Sequence, residues 1–372
     1  MDRVEAGNNA THEARQEGAP ERVVVGTDPA AGEPVIALDA MGGDNMPHAA
    51  VEGAIKAHLA GARVVLVGDE SVLKPELERM GGVELEIQHA SDVISMDENA
   101  ADVRRRRDSS VMVGMRLVKD GRANACVSLG HSGATMAAAL LVLGRIPGVD
   151  RPAILTNVPK TEGFVALLDA GANADCKPEW LQQFALMGSA YVERVWGVPQ
   201  PKVGLMSIGE EPHKGNELVR EAHVLLAETA GLNFYGNIEG RDMFSGVVDV
   251  VVTDGFTGNV ILKLAEGEAR ALFGWVRDAL MSDVRSKIGG LLVKPALRRV
   301  AARMDPAEYG AQPLLGVNGY AFIGHGSADA RAVANAVRTA RQAVHSNALA
   351  HLTAALSAAP TAPAEGPLPA PS

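Results

Sequence analysis

The stretch IALDAMGGDN, residues 36–45, decides how this chain reads. A short apolar run ends in a cluster of Asp, Gly and Asn, and a segment with helical periodicity follows. The same punctuation returns in CVSLGHSGA (126–134), LMSIGEEPHKGNE (205–217), VVTDGFTGN (251–259) and AFIGHGSAD (321–329). Strand, glycine turn and helix in that order build anion sites in α/β proteins. The turn brings the backbone close to a ligand, and the free N–H groups and dipole of the next helix attract negative charge. In an open parallel sheet such turns gather along one edge, where ligands bind. The pattern predicts an α/β enzyme that handles a phosphorylated or otherwise anionic substrate.

Outward from these turns, β-like runs are expected at 34–40, 62–68, 84–89, 125–129, 152–157, 164–169, 202–208, 232–237, 247–253 and 319–324. Helical patterns lie between most of them, at 46–60, 71–80, 109–120, 132–144, 178–196, 214–230, 258–288 and 327–352. This alternation predicts a mostly parallel sheet covered on both faces, the three-layer α/β/α arrangement. With 372 residues, 47% of them hydrophobic, the chain has a core sufficient for one large domain or two closely packed lobes. Residues 1–33 lack apolar periodicity and read as a disordered leader, and 354–372 as a disordered Ala/Pro-rich tail, so the folded part is expected at 34–353. The segment 262–304 breaks the rhythm. Leu272, Val276, Leu280, Val284 and Ile288 form an i+4 apolar stripe, which predicts a long amphipathic helix interrupted at Gly289 and Gly290 and barred from continuing by Pro295.

Bulk properties narrow the class. A formal net charge of −10 argues against a nucleic-acid-binding protein. Two cysteines, Cys126 and Cys176, fit a reducing compartment without a disulfide framework. No CxxC or HExxH metal pattern occurs, no GxGxxG, and no Walker loop, because the Gly209–Gly215 turn lacks the Lys-Ser/Thr pair. No apolar run reaches a membrane span, and the N-terminus has no signal-like apolar region, so a cytoplasmic protein is expected.

Several residues carry chemistry or capping with equal ease. Gly42 and Gly43 could turn amides toward a phosphate, with Asp39 or Asp44 orienting a lysine; equally, the cluster is a tight turn capped by Asp44 or Asn45. At Gly130–His131–Ser132–Gly133, Ser132 is either an anion donor or the helix cap, and His131 an acid–base group or a solvated side chain. Lys177, before a helix start, suits phosphate as a compact ammonium. Cys176 beside it is a nucleophile only if its pKa is lowered. Lys214, Asn216, Gly258 and Asn259 lie in two further turns. Arg104, Arg105, Arg106 and Arg107 are the densest positive run, either a solvated loop or a dock for an acidic partner.

Taken together, these motifs closely resemble the PlsX family, the bacterial acyl–acyl carrier protein:phosphate acyltransferases of phospholipid synthesis. The resemblance rests on ALDAMGGDN (37–45), RRRRDSS (104–110), LGRIPGVDRPA (143–153), LDAGANADCKPEWLQQFALMGSAY (168–191), IGEEPHKGNE (208–217), GNIEGRDMFSG (236–246), VVVTDGFTGNVILK (250–263), YGAQPLLGVNG (309–319) and HGSADA (325–330), and covers nearly all of 34–345. The family's SAGNTGA is here SLGHSGA (128–134), and its GGAPLLG is GAQPLLG (310–316). The resemblance implies a homodimer with a fold similar to phosphotransacetylases and to isocitrate and isopropylmalate dehydrogenases. It implies acyl transfer from acyl carrier protein to inorganic phosphate without a cofactor or metal. It also implies peripheral membrane association, with a membrane glycerol-3-phosphate acyltransferase using the product. On that footing Lys177 and Lys214, with Gly42, Gly43 and Ser132, are expected to hold phosphate, in a site shared with Asp39, Asp44, Gly130, Gly133 and Gly258. Asn216 or Asn259 is expected to meet the carbonyl oxygen. Arg104–Arg107, Leu291, Leu292, Arg298 and Arg299 are expected to contact the carrier protein or the membrane. The rival readings are a phosphotransacetylase that uses acyl-CoA, a metal- and NAD-dependent decarboxylating dehydrogenase, and a non-catalytic organiser of lipid enzymes.

Overall fold

A computed structural model describes residues 32–358. The expected leader therefore lies outside the described residues except for its last positions, and the expected tail beyond Ala358 does too. The strands are β1 (Val35–Asp39), β2 (Arg63–Gly68), β3 (Glu86–His89), β4 (Ala125–Ser128), β5 (Ala153–Ile154), β6 (Thr156–Pro159), β7 (Phe164–Leu168), β8 (Val203–Met206), β9 (Phe234–Ile238), β10 (Val250–Val252), β11 (Ala311–Leu315) and β12 (Tyr320–Gly324). The α-helices are α1 (His48–Leu59), α2 (Glu70–Arg79), α3 (Ser110–Lys119), α4 (Ser132–Val142), α5 (Pro178–Tyr191), α6 (Glu217–Glu228), α7 (Gly255–Met281), α8 (Val284–Arg303), α9 (Ala330–His345) and α10 (Ala348–Ala358).

The strands form two sheets. The first runs β3-β2-β1-β4-β12-β11-β5 and the second β6-β7-β10-β8-β9. Pairing is parallel except at β12–β11, β11–β5 and β6–β7. Alternation decides the layers, since successive side chains leave a strand on opposite faces. In β1, Ile36 and Leu38 join the apolar cluster of α1 and α9, while Ala37 joins Val113 and Leu117 of α3. Both faces of the first sheet are thus buried, as the near-continuous apolar strands require. The main cluster also contains Leu168 and Val252 of the second sheet, Phe184 of α5 and Leu352 of α10. One apolar cluster thus spans both sheets.

Four boundaries differ from expectation. Strand β11 lies outside the expected runs, and it contains Pro313, which cannot donate to a ladder. It is tolerated where the strand changes partners: Ala311–Pro313 pair with β12, and Leu314–Leu315 with β5. The helix expected at 327–352 is two helices, split at Asn347, whose φ of 53° suits Asn better than most residues. The second of these, α10, carries helix five residues into the expected tail.

The long amphipathic helix is also two. It breaks at Ser282–Asp283, where Asp283 accepts from the amides of Arg285 (2.8 Å) and Ser286 (3.0 Å) and caps α8. Helix α8 then runs unbroken through Gly289, Gly290 and Pro295. None of its residues is buried, so the carbonyl that Pro295 leaves unpaired can face water. The stripe itself stays open, with Leu272 at 51% and Ile288 at 60% exposure.

Candidate active site

Three turns at the carboxyl end of the first sheet interlock. Asp39, 2% exposed at the end of β1, is held there by what it accepts. Its Oδ1 takes the amides of Met41 (3.2 Å) and Gly42 (3.1 Å), and its Oδ2 takes the Ser128 hydroxyl (2.8 Å). Asp39 therefore shapes the β1 turn and ties it to β4, and Gly42 spends its N–H on it. Gly43 has φ of 112°, a conformation only glycine adopts freely. A side chain there would also start 2.9 Å from the Leu129 carbonyl and 3.0 Å from that of Gly326. The Asp44 amide donates to the Gly326 carbonyl at 2.8 Å, which joins the β12 turn to the other two.

At the head of α4 the cap is His131, not Ser132. Its Nδ1 accepts from the Ala134 amide at 3.2 Å. This accounts for the His where the resembling family has Asn: both offer an acceptor at the cap position. Ser132 and Gly133 keep their amides, and Gly43 keeps its own, without a partner among the described residues. Gly42, Gly43, Asp44, Gly130, Ser132 and Gly133 lie in these interlocked turns, with the amides of Ser132 and Gly133 and the Ser132 hydroxyl left over at the head of α4 and the Gly43 amide left over in the β1 turn.

The second sheet supplies a hub that sequence reasoning missed. Asp169, fully buried after β7, accepts five N–H groups. Oδ1 takes the amides of Ile154 (3.1 Å), Gly171 (3.1 Å) and Ala172 (3.0 Å). Oδ2 takes the amide (2.7 Å) and side-chain nitrogen (2.8 Å) of Asn173. Burial pushes this carboxyl upward, and the donors from Ala172, Asn173 and Ile154 pull against that. Only the carboxylate can accept all five. Gly258, in the first turn of α7, packs on the same loop so closely that a Cβ would lie 1.9 Å from the Asp169 carbonyl oxygen. Asn259 is exposed beside Gly171, its Oδ1 3.7 Å from where a side chain there would begin. The signal for this hub was present in LDAGANAD, which was quoted as a motif but not weighed for acceptor capacity.

Lys177 stands exposed ahead of α5, and its ammonium has no partner among the described residues. Cys176 donates weakly to the Asn173 carbonyl at 3.6 Å. Burial first, then Asp169, Asp254 and Asp175, push its thiol up to about 12, against the pull of the Gly255 amide. A thiol so far from ionising is a poor nucleophile, which argues against the covalent route.

Other expected residues do not converge here. Asn216 caps α6, its Oδ1 accepting from Val219 at 2.9 Å. Lys214 folds over Gly209 within its own turn. That turn follows β8, which β10 separates from β7. Arg106 is not a free cation: Asp92 and Glu98 bind its guanidinium, and the pairs raise its pKa. Arg104, Arg105 and Arg107 remain exposed. Their segment packs on α4, with Ala100 only 3.0 Å from where a Gly133 side chain would begin.

The two turn systems meet at a seam. Ala170 and Ala172 belong to the apolar cluster that holds Ala134 and Ala138 of α4. Lys263, two turns into α7, reaches His325 in the β12 turn, Nζ to Nε2 at 3.3 Å. Neither Lys263 nor His325 was singled out from sequence, because their partnership crosses 62 residues. As for metal, the carboxylates of Glu210, Glu239 and Asp242 come within 4.8 Å of one another, but Arg241 pairs with all three from within the protein.

The profile of a family described as fatty acid synthesis protein matches residues 35–351. A phosphate acyltransferase of Thermus thermophilus is 58% identical over 323 residues, covering 87% of this chain and 98% of its own. One of Deinococcus radiodurans is 56% identical over 283 residues, covering 75% of this chain and 79% of its own. Among solved structures, a phosphotransacetylase from Streptococcus pyogenes superposes with a TM-score of 0.56 at 16% identity, covering 84% of this chain and 94% of its own. The EutD phosphotransacetylase from Staphylococcus aureus gives 0.54 at 18% identity with the same coverage. At these identities the structural likeness speaks for the fold alone.

Proposed function

The chain belongs to the fatty acid synthesis protein family, with close relatives that are phosphate acyltransferases, and on that premise we propose that it transfers an acyl group from acyl–acyl carrier protein to inorganic phosphate. One observation carries the reading: the amides of Gly43, Ser132 and Gly133, in turns that interlock at the end of the first sheet, have no partner among the described residues. That arrangement suits a phosphate dianion. Lys177 adds an ammonium from the second sheet, and the Asn259 amide suits the thioester carbonyl oxygen. Phosphate then attacks a carbonyl that is held and polarised. Alignment supplies up to roughly 7–11 kcal/mol of such a barrier, and a well-placed donor about 3–4 kcal/mol. Lys214, on the turn after β8 at the same edge of the second sheet, is the second cation for phosphate, and Asn216 is given to its cap.

Incubation with palmitoyl–acyl carrier protein and phosphate should release free carrier thiol and palmitoyl phosphate together. Release from palmitoyl-CoA alone would support the phosphotransacetylase reading instead. Lys177→Ala should raise the phosphate KM by about 10–100-fold, the worth of a hydrogen bond to a charged group. An unchanged phosphate KM would remove Lys177 from the site.

The carrier protein is expected to be acidic, and Arg104, Arg105 and Arg107 offer it a basic dock beside α4. Complementary charge there steers encounter. The acyl phosphate would pass to a membrane glycerol-3-phosphate acyltransferase, which gives reason for the enzyme to work at a membrane surface. No described helix is long and apolar enough to cross one. Helix α8 instead suits an anionic surface: it carries six Lys or Arg, among them Arg298 and Arg299, and no acidic residue. Leu291 and Leu292 stand 70% and 77% exposed on it. The open stripe of α7 is assigned to a second copy of the chain, as a homodimer. Leu291→Glu with Leu292→Glu should abolish co-flotation with anionic vesicles. Flotation that persists would exclude this contact.

A further inference from the structure

The transfer proposed above leaves one requirement unmet: the departing pantetheine sulfur is a poor leaving group until it is protonated. The groups so far assigned at the seam bind anions or polarise the carbonyl. We propose that His325 is the general acid for the leaving thiolate and that Lys263 is its positioning residue. The assignment rests on the phosphate acyltransferase reading.

Three observations carry it. His325 is exposed and lies in the β12 turn, next to Gly326, whose carbonyl receives the Asp44 amide at 2.8 Å. It therefore borders the same turns that leave the Gly43, Ser132 and Gly133 amides free. Lys263 approaches it from the other sheet, on the helix that carries Asn259. Residues four apart share a helix face, so Asn259 and Lys263 look the same way. A group beside Lys263 is then beside whatever Asn259 contacts. Finally, the contact orders the imidazole. The Lys263 ammonium can only donate, so Nε2, 3.3 Å away, is the acceptor and the ring proton sits on Nδ1. The Glu266 carboxylate, 3.0 Å from the same ammonium, holds Lys263 in place. With Nε2 engaged by Lys263, Nδ1 is the ring's remaining polar atom and carries the N–H. Asp44 brings a carboxylate oxygen to 3.6 Å from where a Gly326 side chain would begin, and Met96 packs on the same residue as an apolar wall.

The step balances without a further reactant. The carbonyl carbon gains a bond to a phosphate oxygen and loses its bond to sulfur. The sulfur takes the Nδ1 proton of His325 while Nε2 takes a proton from the Lys263 ammonium, so the ring is never left as an anion. The proton carried by the attacking hydrogen phosphate then enters at Nδ1, and the Nε2 proton passes back to Lys263. Thiol and acyl phosphate leave, and His325 is restored.

The test varies the leaving group. His325→Gln keeps a polar side chain for Lys263 to donate to but cannot pass a proton near neutral pH. With palmitoyl–acyl carrier protein it should lose about 100-fold or more in kcat, the usual worth of a general acid. With a palmitoyl thioester of a nitro-substituted aromatic thiol, which departs as the anion, the same variant should stay within a few-fold of wild type. Lys263→Met should show the same selectivity to a smaller degree. Equal losses on both thioesters would overturn the assignment, because a residue that only shapes or binds does not distinguish leaving groups. So would full activity on both. Wild-type protein that releases thiol from neither thioester in the presence of phosphate would instead defeat the parent reading, and this one with it.

Discussion

Gly258→Ala is expected to cost about 4 kcal/mol or more and to lower the melting temperature by on the order of 10 °C. Helix propensity alone points the other way. Within a helix, Ala is preferred to Gly by about 1 kcal/mol, and Gly258 lies in the first turn of α7. The clash decides the sign. The new methyl carbon would sit 1.9 Å from the Asp169 carbonyl oxygen and 3.0 Å from its carbon. The obstacle is backbone, pinned by the five hydrogen bonds of the Asp169 side chain, so neither side can yield cheaply. Gly267→Ala is the matched control in the same helix, since nothing lies within 4 Å of a Cβ there. It should be neutral or slightly stabilising. Thermal unfolding of the two variants beside wild type reads the difference directly. A Gly258→Ala protein melting within a degree or two of wild type would show that the α7–Asp169 contact is looser than described.

Asp169→Asn is expected to be the second large loss, in both stability and activity. The substitution nearly preserves volume, so its cost is electrostatic. Whichever way the new amide turns, its NH2 faces at least two of the donors that the carboxylate accepts. Burying such mismatched donors, and losing the charge they were arranged around, costs roughly 3–5 kcal/mol. The loop these bonds hold includes Gly171, the neighbour of Asn259, so the acyl-transfer rate should fall as well. Misplacement by about 1 Å costs on the order of 100-fold. Melting temperature and kcat measured on the same preparation check both halves. If the variant is stable and active, the hub neither supports the fold nor aligns the site.

Asp169 also marks where sequence reading stopped. Its turn was recognised by motif, and Cys176 and Lys177 within that turn were weighed for chemistry. Nothing in the order of residues announced that one carboxylate would collect amides from Ile154, Gly171, Ala172 and Asn173, because that depends on how the loop folds back on itself. His131 shows a subtler limit. A polar cap was expected at the head of α4, yet both His131 and Ser132 are able to fill it, and only the backbone path selected the former. Lys214 was legible as a cation after a strand. Its distance from Lys177 was not, since strand order β7-β10-β8 is a fact of topology. Strand β11 was not legible either: a proline is excluded from a regular ladder, and only the change of partner at Pro313 leaves room for it.

The sequence by itself determined the class of the fold, ten of the twelve strands in place or within a few residues, and the family. Each of these rests on local signals: apolar runs of strand length, glycine turns, helical periodicity and long ordered motifs. Tertiary structure alone decided that two sheets share one core, that α7 and α8 stand out with their apolar stripe uncovered, and which turns meet at the seam. Those outcomes depend on contacts between residues distant in the chain, such as Lys263 with His325 and Asp44 with Gly326, whose energies no local window contains.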